Sequence, residues 1–107
     1  MAAQIDRGST TARAAGQHQA LYREVNERIR DLVEHLDLGD AIPLLCECGS
    51  GGCDGRVEVT RAEYERLRRH PNRFAVSPGH QIPGRDRVVE EHERYHVVEP
   101  EDEAPTA

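Results

Sequence analysis

Three cysteines fall within eight residues, Cys46, Cys48 and Cys53, and the last two are separated by Gly49-Ser50-Gly51-Gly52. This cluster restricts the fold more than any other feature of the chain. On extended backbone, side chains two apart leave the same face, so Cys46 and Cys48 can converge on one point. Glycine admits positive φ without penalty, which lets the linker fold the third thiol back over the first two. A disulfide across a single intervening residue is strained, and three thiols cannot all pair. Glu47 and the glycines also make the stretch too polar for cysteines that are merely small buried hydrophobes. The pattern therefore points to a metal site, with a redox pair as the competing reading. Three thiolates at tetrahedral corners suit Zn²⁺ and leave one ligand to find.

A metal clamp also answers a shortage of core material. There is one Phe, no Trp and three Tyr, and 32% of the residues are charged. Residues 1–16 are rich in small and polar types without apolar periodicity, and residues 100–107 are acidic and proline-bearing. Both are expected to be solvated tails, leaving one domain over 17–99. A body of roughly 80 residues is marginal on aliphatic packing alone.

Leu21, Val25, Ile29, Leu32, Val33 and Leu36 recur at spacings of three and four, which predicts a helix over 17–38 ended by Gly39-Asp40. Their stripe is read as the core-covering face, with a partner or dimer surface as the alternative. An extended run from Pro43 to Cys48 and an alternating strand, Arg56-Val57-Glu58-Val59-Thr60, follow. Thr60-Arg61-Ala62-Glu63 has the form of a capping box, opening a short second helix that Pro71 stops. Arg73-Phe74-Ala75-Val76, Arg87-Val88-Val89-Glu90 and Tyr95-His96-Val97-Val98 complete a small antiparallel sheet. The expected class is α+β, stabilised by zinc.

Of six histidines, His80 is the best candidate for the fourth ligand, because Pro78-Gly79 is a rigid turn that can aim the next side chain. His96 and His70 are the alternatives, and Asp54 is a weaker fallback. Three thiolates and an imidazole leave no corner for water, which predicts a structural site and no enzyme. A phosphate-binding glycine loop, a Ser-His-Asp set and an H-E-x-x-H helix are all missing from the sequence.

The net charge of −6 argues against general binding to nucleic acid, although Arg61, Arg66, Arg68 and Arg69 crowd the second helix. Without a signal-like or membrane-spanning apolar segment, the chain is expected in the cytoplasm. The expected role is a small zinc-binding module for protein contacts or regulation, monomeric or homodimeric. A redox-responsive zinc switch and a nucleic-acid-binding zinc module are the alternatives.

The motifs Leu21-Tyr22-Arg23-Glu24-Val25-Asn26-Glu27-Arg28-Ile29-Arg30, Cys46-Glu47-Cys48-Gly49 with Cys53, Glu63-Tyr64-Glu65, and Pro78-Gly79-His80 carry a resemblance. So do Arg73-Phe74-Ala75-Val76, Arg87-Val88-Val89-Glu90 and Tyr95-His96-Val97-Val98. Together, over residues 21–99, the chain resembles a group of short proteins from high-GC bacteria. That resemblance implies a C-x-C-x4-C … P-G-H zinc-site arrangement and no particular activity. Ser50-Gly51-Gly52 departs from an Asp-Pro-Gly-like loop in the group, which implies a more flexible linker here.

Overall fold

The computed structural model describes residues 7–50 and 53–100, with side chains from Ala15 onward. It is an α+β fold: a long helix α1 (Arg7–His35), strands β1 (Ala41–Leu45) and β2 (Arg56–Thr60), and a short helix α2 (Arg61–Arg68). Strands β3 (Phe74–Val76), β4 (Asp86–Glu91) and β5 (His96–Pro100) follow. The antiparallel strands form two sheets where one was expected: a β1-β2 pair, and a three-stranded sheet in the order β3-β5-β4.

Helix α1 begins ten residues before the expected start, inside the stretch read as a tail. Ala12, Ala14 and Ala15 are strong helix formers and no proline interrupts them, so propensity carries the helix back towards Arg7. The remaining tail residues, 1–6 and 101–107, lie outside the described residues. The helix also ends earlier than Gly39. Leu38 N–H bonds Val33 O at 3.0 Å and Asp37 N–H bonds Glu34 O at 3.2 Å, while Asp37 takes φ 53°. This is a Schellman closure with aspartate in the left-handed position that glycine usually fills.

The apolar stripe of α1 is split, which corrects the reading of it as one core face. The buried row is Ala15, Gln19, Asn26 and Val33, with Ile29 packed against the core. Leu21, Leu32 and Leu36 remain more than half exposed. Two buried side chains in that row are polar, and they fix which side faces inward because each has partners only there (see below).

The second helix begins as expected. Thr60 Oγ1 accepts from Glu63 N–H at 3.1 Å, and Glu63 Oε1 accepts from Thr60 N–H at 2.8 Å. Tyr64 and Leu67 are its buried residues, whereas Ala62 faces out.

Alternation along the strands divides the interior into two cores. Ile42, Leu44, Val57, Val59, Ala75, Tyr95 and Val97 form an aliphatic core with Val33, Tyr64 and Leu67. Phe74, Val76 and Val98 form a second, with Cys46 and Cys48. Ala75 lies between Phe74 and Val76, and Val97 beside Val98, so the three-stranded sheet is a wall with one core on each face. Val88 faces one core and Val89 the other by ordinary alternation, and a bulge between Val88 and Glu90 shifts the register of β4 against β5.

Candidate metal centre

Strand β1 runs out of the aliphatic core and its alternation continues as Cys46-Glu47-Cys48, placing two thiols on one side and the carboxylate on the other. Cys46 N–H bonds Gly55 O at 3.0 Å, so β1 and the approach to β2 stay joined beyond the sheet and close the loop that holds Cys53. Gly49, with φ +83°, turns the chain away. A Cβ there would lie 3.0 Å from Ala15 O and 3.2 Å from Ala15 Cβ, so α1 rests directly on this bare backbone. His18 Nδ1 donates to Gly49 O at 3.3 Å beside it. Gly51 and Gly52, expected to complete the turn, lie outside the described residues.

His80 arrives from the other sheet. Ser77-Pro78-Gly79-His80 is a turn closed by His80 N–H to Ser77 O at 2.9 Å, with Gly79 at φ +87°. Proline followed by a residue of positive φ is the type II arrangement, and β3 supplies its rigid base. His80 Nδ1 sits 3.5 Å from Cys46 Sγ and 3.6 Å from Cys53 Sγ. The ligand atoms of Cys46, Cys48, Cys53 and His80 all lie within 4.8 Å of one another, a grouping that could hold a metal ion. The other candidates are elsewhere: His70 is exposed at the end of α2, His96 lies in β5, and Asp54 borders the cluster without joining it.

The thiols are free, and Cys46 and Cys48 are buried. Burial pushes the Cys46 thiol up to about 12 and raises that of Cys48 as well, because a thiolate in this apolar setting loses its hydration. The Ser77 amide opposes that penalty at Cys46, donating to its Sγ at 3.2 Å, and Gly55 N–H donates to Cys53 Sγ at 3.4 Å. A cation would complete the compensation. Arg73 is engaged elsewhere, 2.7 Å from Glu99 and 3.6 Å from Glu90.

Glu47 explains how the two cysteines are held. Its carboxylate is fully buried. Oε2 accepts from Asn26 Nδ2 at 2.7 Å and Arg68 Nη2 at 2.6 Å, and Oε1 accepts from Ala75 N–H at 3.0 Å. Glu47 N–H returns a bond to Ala75 O at 2.8 Å. Asn26 also bridges Leu45, accepting from its N–H at 2.8 Å and donating to its carbonyl at 3.0 Å. One residue between two cysteines is thus tied to α1, α2 and β3 together. Burial opposes the Arg68 charge, but Glu47 more than offsets this and holds the guanidinium above its usual value. The Tyr64 ring lies beneath Arg68, 4.9 Å from Cζ to centroid. Sequence reasoning did not identify Asn26 and Arg68 as partners of the site. The available signal was a polar residue, Asn26, at core spacing between Tyr22 and Ile29.

Exposure divides the cluster. Cys46 and Cys48 are sealed inside, Cys53 is half-buried, and His80 faces a shallow cleft bordered by Ser50, Asp54 and Gln81. No helix among the described residues is long and apolar enough to cross a membrane. No family model, curated protein or solved structure matches the chain.

Proposed function

We propose that Cys46, Cys48, Cys53 and His80 bind one structural Zn²⁺, in a small module that acts through protein contacts and not through catalysis. The observation that carries the zinc reading is the spacing of sulfur and nitrogen. Tetrahedral bonds of about 2.3 Å to sulfur and 2.0–2.1 Å to nitrogen imply an S···N edge of about 3.6 Å. The two edges that His80 Nδ1 makes, 3.5 and 3.6 Å, fit that value. Four protein donors fill four corners, so a substrate or water has no position on the ion. Zn²⁺ with three thiolates and a neutral imidazole carries one net negative charge, which the Ser77 and Gly55 amides soften.

Native mass spectrometry before and after denaturation tests this reading. One zinc per folded chain, lost on unfolding, is expected. An apo chain with an unchanged fold, or iron in place of zinc, overturns it. Turnover of a substrate by the zinc-loaded chain overturns the non-catalytic part.

A second reading, a redox-responsive switch, is favoured by the access that Cys53 and His80 have to solvent. Peroxide would take two electrons from the Cys48 and Cys53 thiolates, forming a disulfide, two water molecules once two protons are supplied, and free Zn²⁺. A zinc-release dye under peroxide titration separates the readings: release at low oxidant supports the switch, and retention removes it. The nucleic-acid reading is weakened by the arginines of α2, since Arg68 is committed to Glu47 and Arg66 lies 3.6 Å from Glu90.

A further inference from the structure

The four donors of the metal centre are held to very different degrees. Cys46 and Cys48 flank Glu47, whose buried bonds tie that backbone to α1, α2 and β3, and Ser77 N–H donates to Cys46 Sγ. The His80 ring has no comparable anchor. Among the described residues its only hydrogen-bonding contacts are Cys46 Sγ and Cys53 Sγ, and the side chain is exposed. A Cβ at the preceding Gly79 would meet nothing within 4 Å, so the turn that carries His80 has open space to swing into. Beside it lies a cleft of about 560 Å³ bordered by Cys48, Cys53, Asp54 and Gln81, which has room for one more side chain.

The chemistry of the donors says which of them yields. An imidazole leaves a cation as a neutral group, whereas a thiolate leaving it separates opposite charges. His80 is therefore the weakest bond as well as the loosest side chain. Thiolate is the soft donor best able to take its place. That exchange makes the site one charge more negative. Asp54 already stands at the mouth of the cleft, and the chain carries a net charge of −6. Both disfavour an anionic thiol and favour one that brings positive charge with it.

We propose that this cleft is where the site exchanges its metal, with a partner cysteine set among basic groups taking the place of His80. The thiol sulfur bonds to the ion as the bond to His80 Nδ1 breaks, the thiol proton passes to solvent, and no electron is transferred. The partner enters by displacement, since the four protein donors leave it no vacant corner. This deepens the zinc reading and rests on it.

The full, zinc-loaded chain, its stoichiometry first fixed by native mass spectrometry, is mixed with a chromogenic chelator and either cysteamine or mercaptoacetate at equal thiolate concentration. Transfer to the chelator should rise with thiol concentration. Cysteamine should be at least about threefold faster at low salt, and added salt should shrink its lead. Asp54→Asn, which removes no ligand, should narrow the gap between the two thiols. His80→Ala should speed transfer by about tenfold or more. In the cobalt-loaded chain, cysteamine should shift the absorption to the longer wavelengths that distinguish four sulfurs from three sulfurs and a nitrogen. Far-ultraviolet circular dichroism confirms that each variant is folded. A rate independent of thiol, with one zinc still bound per chain, overturns the exchange and leaves the zinc reading standing. An unshifted cobalt spectrum, or a folded His80→Ala chain no faster than the parent, overturns the displacement of His80. Equal rates for the two thiols, or a gap that Asp54→Asn leaves unchanged, overturn the basic partner. A chain that binds no zinc overturns both readings.

Discussion

The two cores of this molecule are built on different principles. The aliphatic core has ten buried residues drawn from both helices and from four of the five strands, so its burial is shared by nearly every element. Among the described residues, the buried cluster at the metal end consists of Phe74, Val76 and Val98 with two cysteines. Burial of three such side chains is worth about 5–9 kcal/mol at most, before any ordering cost is subtracted. The loops around residues 46–55 and 77–81 include three glycines among the described residues, and their ordering must be offset by something else. One end folds because apolar surface leaves water, and the other, on the zinc reading proposed above, is organised by a metal centre. Both share the β3-β5-β4 sheet as a wall.

The sharpest way to break the comparison is at the metal end. Structural Zn²⁺ contributes an apparent 10–16 kcal/mol in small peptides, comparable to the whole stability of a domain. Cys48→Ser should abolish stoichiometric zinc and lower Tm by tens of degrees, with hydrogen-exchange protection lost first around residues 46–55 and 74–80. His80→Ala, on the open side, should keep zinc but weaken it by about tenfold or more. A Cys48→Ser chain that melts like the parent would show that the second core holds itself without a cation.

Next in size is the joint between the ends. Glu47→Ala leaves Arg68 buried against Tyr64 and deprives Asn26 Nδ2 and the Ala75 amide of an acceptor. Breaking one side of a buried ion pair costs about 3–5 kcal/mol. Because Glu47 sits between two ligands, the loss should appear in chemical denaturation and in faster zinc release. Arg68→Met alone should also destabilise, and Glu47→Leu combined with Arg68→Met should cost less than the two singles together. If the costs simply add, the carboxylate and the guanidinium do not act as a unit.

Gly49→Ala should cost about 1–2 kcal/mol from the left-handed backbone alone, with the contact to Ala15 adding to it. The first turns of described α1 side chains, around Ala15 and His18, should then lose protection before Val33 does. Uniform loss along the helix would show that α1 does not rest on the metal loop in the way the close approach implies.

What the sequence disclosed follows the range of the forces involved. Thr60 and Glu63 are three residues apart and bond through backbone between them, so the cap of α2 was readable, as were the hairpin strands. Cys46, Cys48 and Cys53 were readable because their chemistry has few other uses at that spacing, and Pro78-Gly79 marked His80. Glu47 was not readable as the joint, since its three partners come from α1, α2 and β3 and meet only in the folded chain. The stripe on α1 misled for a related reason. Leu21, Leu32 and Leu36 satisfy a helical period as well as the buried row does, and hydrophobicity favours them over Gln19 and Asn26. Hydrogen bonds to Leu45, Glu47 and Arg85 decide the rotation of the helix, and these depend on tertiary contact. The exposed leucines lie off that row.

The smallest effect probes the aliphatic end without touching the metal. Asp37 occupies the left-handed position of the Schellman closure at φ 53°, where a side chain costs energy that glycine avoids. It is exposed, and its backbone, not its carboxylate, closes α1. Asp37→Gly should therefore stabilise the chain by a few tenths to about 1 kcal/mol, because relief of strain exceeds the added freedom of the unfolded state. Thermal unfolding should shift upward by a few degrees, while the rate of zinc release stays as in the parent. Altered zinc release would mean that the closure of α1 and the metal loop are energetically coupled along the helix, and that the two ends are less separate than their packing suggests.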